Sequence, residues 1–197
     1  MRRISVFVLL LMQTSLFTGC LLVDGGENSP RTRFDVEEDA FDALVLADDN
    51  PWITFDIPNR LENIGSSDVA LTGCSVPGSA LLQRLEDGKW ITVFEEARFA
   101  CFEVWRYGSG AVLHDTLNML VELDPSSPME PRWYSGPGIE GIPVRGTYRL
   151  ERRVYDADGL ERGNMTLLPL RQRVSREFEV YPVYNVTLAT APVDSGE

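Results

Sequence analysis

An all-β sandwich is the fold this chain predicts, and three observations predict it. From residue 52 onward apolar and polar side chains alternate with a period of two, as in Trp52-Ile53-Thr54-Phe55-Asp56-Ile57. Clusters of Gly, Asn, Asp, Ser and Pro interrupt the alternating runs at turn spacing. No segment after residue 45 has the apolar spacing of an amphipathic helix. About seven to eight short antiparallel strands of this kind can bury one face each only by packing as two layers.

The first strand covers residues 52–63, where Ile53, Phe55 and Ile57 share a face, and Ile64-Gly65-Ser66-Ser67-Asp68 turns the chain. Residues 69–74 form the next strand. Residues 80–85 and 89–94 flank Glu86-Asp87-Gly88, the clearest hairpin signal, because Asp-Gly supplies the positive φ angles of a tight primed turn. In the second arm Trp90, Thr92 and Phe94 share one face and Ile91 and Val93 the other, which predicts burial on both sides or packing under a loop. A strand over residues 98–105 carries Cys101. Leu113, Asp115, Leu117, Met119, Val121 and Leu123 then occupy one face of a long strand, apolar apart from Asp115. Tyr148, Leu150 and Val154 alternate with Arg149, Glu151 and Arg153, and Val174, Phe178 and Val180 alternate with Ser175, Glu177 and Glu179. Antiparallel pairing of these last two strands would set outward arginines against outward glutamates, worth about 0.2–1 kcal/mol per pair.

Ahead of this body stand a leader, a spacer and an acidic stretch. Arg2 and Arg3 precede a nearly unbroken apolar run over residues 4–12, and Leu16-Phe17-Thr18-Gly19-Cys20 closes it with small residues, the layout of a secretory signal peptide. The cysteine placed directly after small residues resembles the lipobox of bacterial lipoproteins, with Phe17 where leucine is commoner. That resemblance implies a diacylglyceryl group on the Cys20 thiol, cleavage after residue 19 and acylation of the new amino terminus. The chain would then be lipid-anchored in the bacterial cell envelope. Leu21, which is not Asp, implies the outer membrane of a Gram-negative host, facing the periplasm or the surface. An uncleaved span over residues 4–23, opposed by Gln13, Thr14, Ser15, Thr18 and Gly19 in its second half, and a cleaved leader without lipid are the alternatives. Residues 20–33 read as a flexible tether of roughly 20 Å mean span. Residues 34–51 form an acidic lead-in, with Asp35, Glu37, Glu38, Asp39 and Asp42 arranged as a short acidic helix would allow. The sandwich proper then occupies residues 52–182 and a tail residues 183–197.

The resemblance extends to the body. The Cys-bearing strand, the Leu82-Gln83-Arg84-Leu85-Glu86-Asp87-Gly88-Lys89-Trp90 hairpin and the late Gly146-Thr147-Tyr148-Arg149-Leu150 are similar to bacterial immunoglobulin-like domains of exported proteins. The likeness implies an immunoglobulin-like β-sandwich in which Tyr148 lies near the start of the sixth strand. Antibody-type domains carry their second cysteine two positions after that tyrosine, where this chain has Leu150.

Loss of the leader leaves 16 basic against 30 acidic side chains, a formal net charge of −14. Such a balance excludes nucleic acid and anionic lipid as partners recognised by bulk charge. One cysteine for the lipid leaves Cys74 and Cys101, which an oxidising compartment allows to pair; closing that loop would restrict the unfolded chain by about 3.5 kcal/mol. Neither has a second Cys or His at ligand spacing, so no metal and no cofactor is predicted. The only histidine, His114, sits on a strand face with Thr116 and Asn118, and Gly108-Ser109-Gly110 lacks nucleophile-elbow spacing. No catalytic residues are assigned. Asp156-Ala157-Asp158-Gly159 lacks the further ligands of a calcium loop and reads as a hairpin turn. Loops over residues 124–146 and 156–172 are long enough to be functional. The first is rich in Pro and Gly and holds Trp133 and Tyr134, which mark it as a surface for an envelope or extracellular protein partner, unless the two aromatics fold back to cap the sandwich. A non-enzymatic binding module is the first expectation, a protease inhibitor using that loop the second, and a carboxylate enzyme acting on envelope polymer the third.

Overall fold

Strand alternation starts before residue 52. The structure, a computed structural model, describes residues 29–46, 52–74, 76–78, 80–95, 103–123, 132–133, 141–164 and 166–184. Strands β1 (Thr32–Val36) and β2 (Ala40–Leu46) precede β3 (Trp52–Asn63). Residues 35–42 therefore form no acidic helix, and the sandwich begins at Thr32. Phe34, Val36, Phe41, Ala43 and Val45 fall on the buried face of these two strands, while the acids take the alternate positions or the 37–39 turn. A two-residue period among acids had been masked by their number.

The chain continues through β4 (Val69–Cys74), β5 (Val76–Pro77), β6 (Leu81–Glu86), β7 (Lys89–Phe94), β8 (Glu103–Tyr107), β9 (Val112–Glu122), β10 (Gly146–Glu151) and β11 (Tyr155–Asp156). A one-turn helix α1 (Ala157–Glu161), a 3-10 turn (Leu170–Gln172) and β12 (Phe178–Tyr184) complete it. One edge of β3 pairs with β9 from Trp52↔Glu122 to Glu62↔Val112. Its other edge is divided, with β2 opposite residues 52–54 and β1 opposite residues 59–63, both antiparallel. Strand β2 also pairs in parallel with β12, and the order continues β12-β10-β6-β7. β2 thus joins a β9-β3-β1 layer to a β12-β10-β6-β7 layer.

The two layers close over one core. Ile53, Phe55, Ile57, Leu117 and Met119 from the first meet Leu82, Tyr148, Leu150, Phe178 and Val180 from the second. A smaller sheet, β11-β4-β5 with β8 on the other edge of β4, adds Val69 and Leu71 to the same core. At the start of β10 the Tyr148 hydroxyl donates to the Val144 carbonyl four residues upstream, the tyrosine corner of immunoglobulin-type sandwiches. The fold is an immunoglobulin-like β-sandwich.

Local chemistry accounts for the details. Asp87 and Gly88 take φ of 47° and 74° in the β6–β7 turn, as the Asp-Gly pair predicts. β7 is an edge strand with only Val93 buried, so burial on both sides does not occur: nothing pairs with its outer edge among the described residues. β10 and β12 pair antiparallel through Tyr148↔Phe178. Their arginines and glutamates do not pair across the ladder, because Thr147 donates to Glu179 at 2.6 Å and Arg149 turns the other way, to β6 and β7. The Asp156 segment is a helix start, not a hairpin turn. The Asp156 carboxylate accepts from the Asp158 N–H at 3.2 Å and caps α1.

The sandwich has two distinct ends. At one, Arg31 leads into β1 and its carbonyl accepts from the Ile64 and Gly65 N–H groups at 2.9 and 3.1 Å. Asn63, 1% exposed, braces that turn by donating to the Ser67 and Tyr107 carbonyls. At the other end lie the start of β3, the end of β9 and the ends of β2 and β12. The 124–146 loop leaves β9 there, away from the entering tether.

Candidate binding surface

Of the residues marked by the sequence, Cys20, Cys101 and Tyr134 lie outside the described residues, as does the side chain of Cys74, whose backbone ends β4. Lipidation and the Cys74–Cys101 bridge therefore stay expectations. Trp133 is 0% exposed and offers nothing to a partner. Backbone bridging to Leu123 and a hydrogen bond from its N–H to the Ile142 carbonyl at 2.9 Å fold it inward. Its indole N–H donates to the Tyr148 hydroxyl at 3.2 Å. An indole can be buried at low cost only where such an acceptor waits, and the tyrosine corner supplies one. Burial pushes the Tyr148 hydroxyl up to about 12, against the opposing influence of Trp133 and Arg84. The aromatic that marked the loop as a docking surface is a cap on the core.

His114 is exposed on β9, its Nδ1 at 3.8 Å from Glu37. Among the described residues no three His, Cys, Asp or Glu side chains gather as a metal would require.

A polar group the sequence reading passed over sits at the centre. Arg152 is 1% exposed and donates to Asn59 Oδ1 and to the Gly78 carbonyl, each at 3.2 Å, and to Asp115. Its guanidinium lies 5.7 Å from the Phe34 ring centroid. The nearby Tyr107 hydroxyl is pushed up by burial, with Arg152 lowering it and Asp115 raising it. The signal was present in the sequence. Asp115 interrupts an apolar face, and Arg152 has the same parity as Tyr148, Leu150 and Val154, so each charge stands where the pattern calls for an apolar side chain. Two opposite charges, both on inward faces, satisfy one another. This group holds β9, β3 and the segment directly after β10 together; it faces the core, not a ligand.

The outer face of the sheet carries two patches of different character. Over β7-β6-β10, Arg149 lies 4.3 Å from the Trp90 ring and donates to Gln83 at 2.8 Å, Gln83 donates to Glu151 at 2.8 Å, and Glu151 pairs with Arg173. Burial draws Arg149 below its ordinary value while Glu151 and Glu177 raise it. These groups satisfy one another. Over β9-β3-β2-β12, at the end opposite the tether, the register brings Leu120, Thr54, Leu44 and Val183 into one row. Leu120 is 60% exposed and Val183 41%, and Tyr181, Leu46 and Trp52 extend the row above and below. Inward neighbours Ile53, Val45 and Val180 are already buried, so these apolar side chains belong to the other face, where Leu120, Tyr181 and Val183 are exposed and Leu44, Leu46 and Trp52 half-buried.

No family model and no curated protein matches the chain. Among solved structures it is similar to the CARDB domain of the PF1109 protein from Pyrococcus furiosus, described in complex with di-metal ions. That likeness has 12% identity, covers 79% of this chain and 94% of that one, and gives a TM-score of 0.33. A second likeness is to a selenomethionine-labelled beta-glucosidase from Kluyveromyces marxianus, at 14% identity and a TM-score of 0.21, covering 78% of this chain and 15% of that one. Neither likeness bears on ligand or activity.

Proposed function

We propose that the chain is a non-enzymatic binding module of the bacterial cell envelope, lipid-anchored at Cys20 and presenting the outer face of its sandwich to a protein partner. The exposed apolar row across β9, β3, β2 and β12 carries this reading. Folding gains nothing from leaving such side chains in water, and contiguous apolar surface of this kind marks interaction sites. Its position suits an anchored protein. Cys20 stands 12 residues before Thr32, a reach of about 43 Å at most, and the row lies roughly 30 Å beyond the strand end that the tether enters. A lipid at Cys20 would hold one end of the sandwich near the bilayer and leave the other to a partner.

Detergent phase partitioning of the full-length protein and Cys20→Ser, expressed in a bacterial host, tests the anchor. The parent chain should enter the detergent phase and the variant the aqueous phase. A Cys20→Ser form that stays with the membrane overturns the anchoring.

A further inference from the structure

The same outer face has a charge pattern that restricts what can cover it. Asp42 pairs with Tyr181, Asp56 with Asn118 beside the row, and Glu122 with Trp52. All three carboxylates share the outward face with the row. Among the described residues none of them has an ion-pair partner, whereas Asp35, Glu37, Asp39 and Glu62 nearer the tether do. Among the described residues Arg145 approaches, stacked 5.3 Å from the Tyr181 ring at the β12 side. An apolar strip edged by unpaired carboxylates on a chain of net charge −12 repels its own copy and an anionic bilayer alike. It favours a surface that brings positive charge around an apolar centre.

The route of approach is also limited. Among the described residues nothing pairs with the outer edge of β9, and such an edge would ordinarily accept an added strand. At mid-strand the Thr116 N–H already donates to Asp115 at 2.9 Å, and its carbonyl accepts from the Asn118 amide at 3.1 Å. At Thr116, side chains thus occupy both backbone groups that strand addition would need.

We propose that the row formed by Leu120, Leu44, Leu46, Trp52, Val183 and Tyr181, edged by Asp42, Asp56 and Glu122, docks a cationic amphipathic protein segment through the sheet face. The proposal rests on the reading of the chain as a binding module and names the partner's chemistry. Charge at the edge supplies encounter rate and selectivity, and burial of the central side chains supplies most of the affinity.

Synthetic amphipathic peptides test it against the Cys20→Ser protein: one alternating Leu and Lys, one Leu and Glu, one Ser and Lys. Only the Leu/Lys peptide should bind tightly. Leu120→Ser with Val183→Ser should weaken it at least about ten-fold. Neutralising Asp42, Asp56 and Glu122 should weaken it comparably and flatten its salt dependence. Neutralising the remote Asp87, Glu103 and Glu177 is the control for bulk charge, and an equal loss there overturns the proposal. So does binding that ignores Leu120→Ser with Val183→Ser. Sedimentation showing a dimer that Leu120→Ser dissociates would assign the row to a second copy, and row-dependent binding to phosphatidylglycerol vesicles would assign it to lipid; either overturns it. A photocrosslinker at Val183 of the anchored protein separates the two readings. An adduct with an acidic protein keeps the binding module and rejects the cationic partner, and no adduct at Val183 or Thr92 rejects both.

Discussion

Removing the Asp115 carboxylate should cost more stability than removing both members of the pair it belongs to. Arg152 is buried, and among the described residues Asp115 is the only anion it donates to; Asn59 and Gly78 contribute dipoles. Asp115→Ala leaves a guanidinium in the core without its counter-charge, a change that costs about 3–5 kcal/mol. The Asp115 side chain is 33% exposed, so water reaches part of the vacated site and the lower limit, about 3 kcal/mol, applies. With a urea m-value of about 2 kcal/mol/M, the unfolding midpoint should fall by about 1.5 M. Arg152→Met combined with Asp115→Leu removes both charges and fills the space with apolar atoms. That form leaves only the Asn59 and Gly78 oxygens without a donor and should unfold within about 2 kcal/mol of the parent. The hydrogen bond from Thr116 to Asp115 is lost in both variants, but it lies on an exposed strand where water replaces it. Equilibrium urea unfolding followed by circular dichroism reads all three proteins. If Asp115→Ala loses under about 1 kcal/mol, or if the double variant is as unstable as the single one, the pair does not bind the layers as described.

Two further outcomes follow from the tyrosine corner and the tether end. The Tyr148 hydroxyl is raised to about 12 by burial, above its unfolded value near 10, so the stability it holds is complete below pH 10 and is lost as pH rises toward 12. Tyr148→Phe should therefore flatten stability between those pH values, while lowering it by about 1–3 kcal/mol at neutral pH, since Val144 and Trp133 lose their partner. A parent protein whose unfolding free energy stays level from pH 10 to 12 contradicts the buried phenol. Gly65→Ala puts a Cβ at 2.5 Å from both the Arg31 nitrogen and the Ser29 carbonyl, all backbone atoms that cannot step aside. Hydrogen exchange should speed up in residues 29–36 and little elsewhere; unchanged protection of β1 would mean the turn does not hold that strand.

Most of the strand framework was legible because a strand declares itself locally: side chains alternate, and Asp-Gly turns whichever strands it joins. β3, β9 and the β6–β7 hairpin were read in this way. β1 and β2 were missed, since five acids among residues 35–42 obscured the alternation of Phe34 and Val36 in one strand and of Phe41, Ala43 and Val45 in the next. The candidate surface was harder. Leu120 and Val183 are 63 residues apart, and their shared row depends on registers through β3 and β2 that no local pattern states. Trp133 drew attention as a loop aromatic, yet whether an aromatic meets solvent or core depends on what folds against it.

By itself, then, the sequence determined the alternation, the turns, the tyrosine of the corner and the two misplaced charges, all of which act over a few residues. Tertiary structure decided the rest. It brought Asp115 to Arg152, gave Trp133 its acceptor in Tyr148, and left Leu120, Tyr181 and Val183 exposed on the β9-β3-β2-β12 face. Pairing partners and exposure are properties of distant segments meeting, and their loop-closure cost is repaid only when the whole core forms.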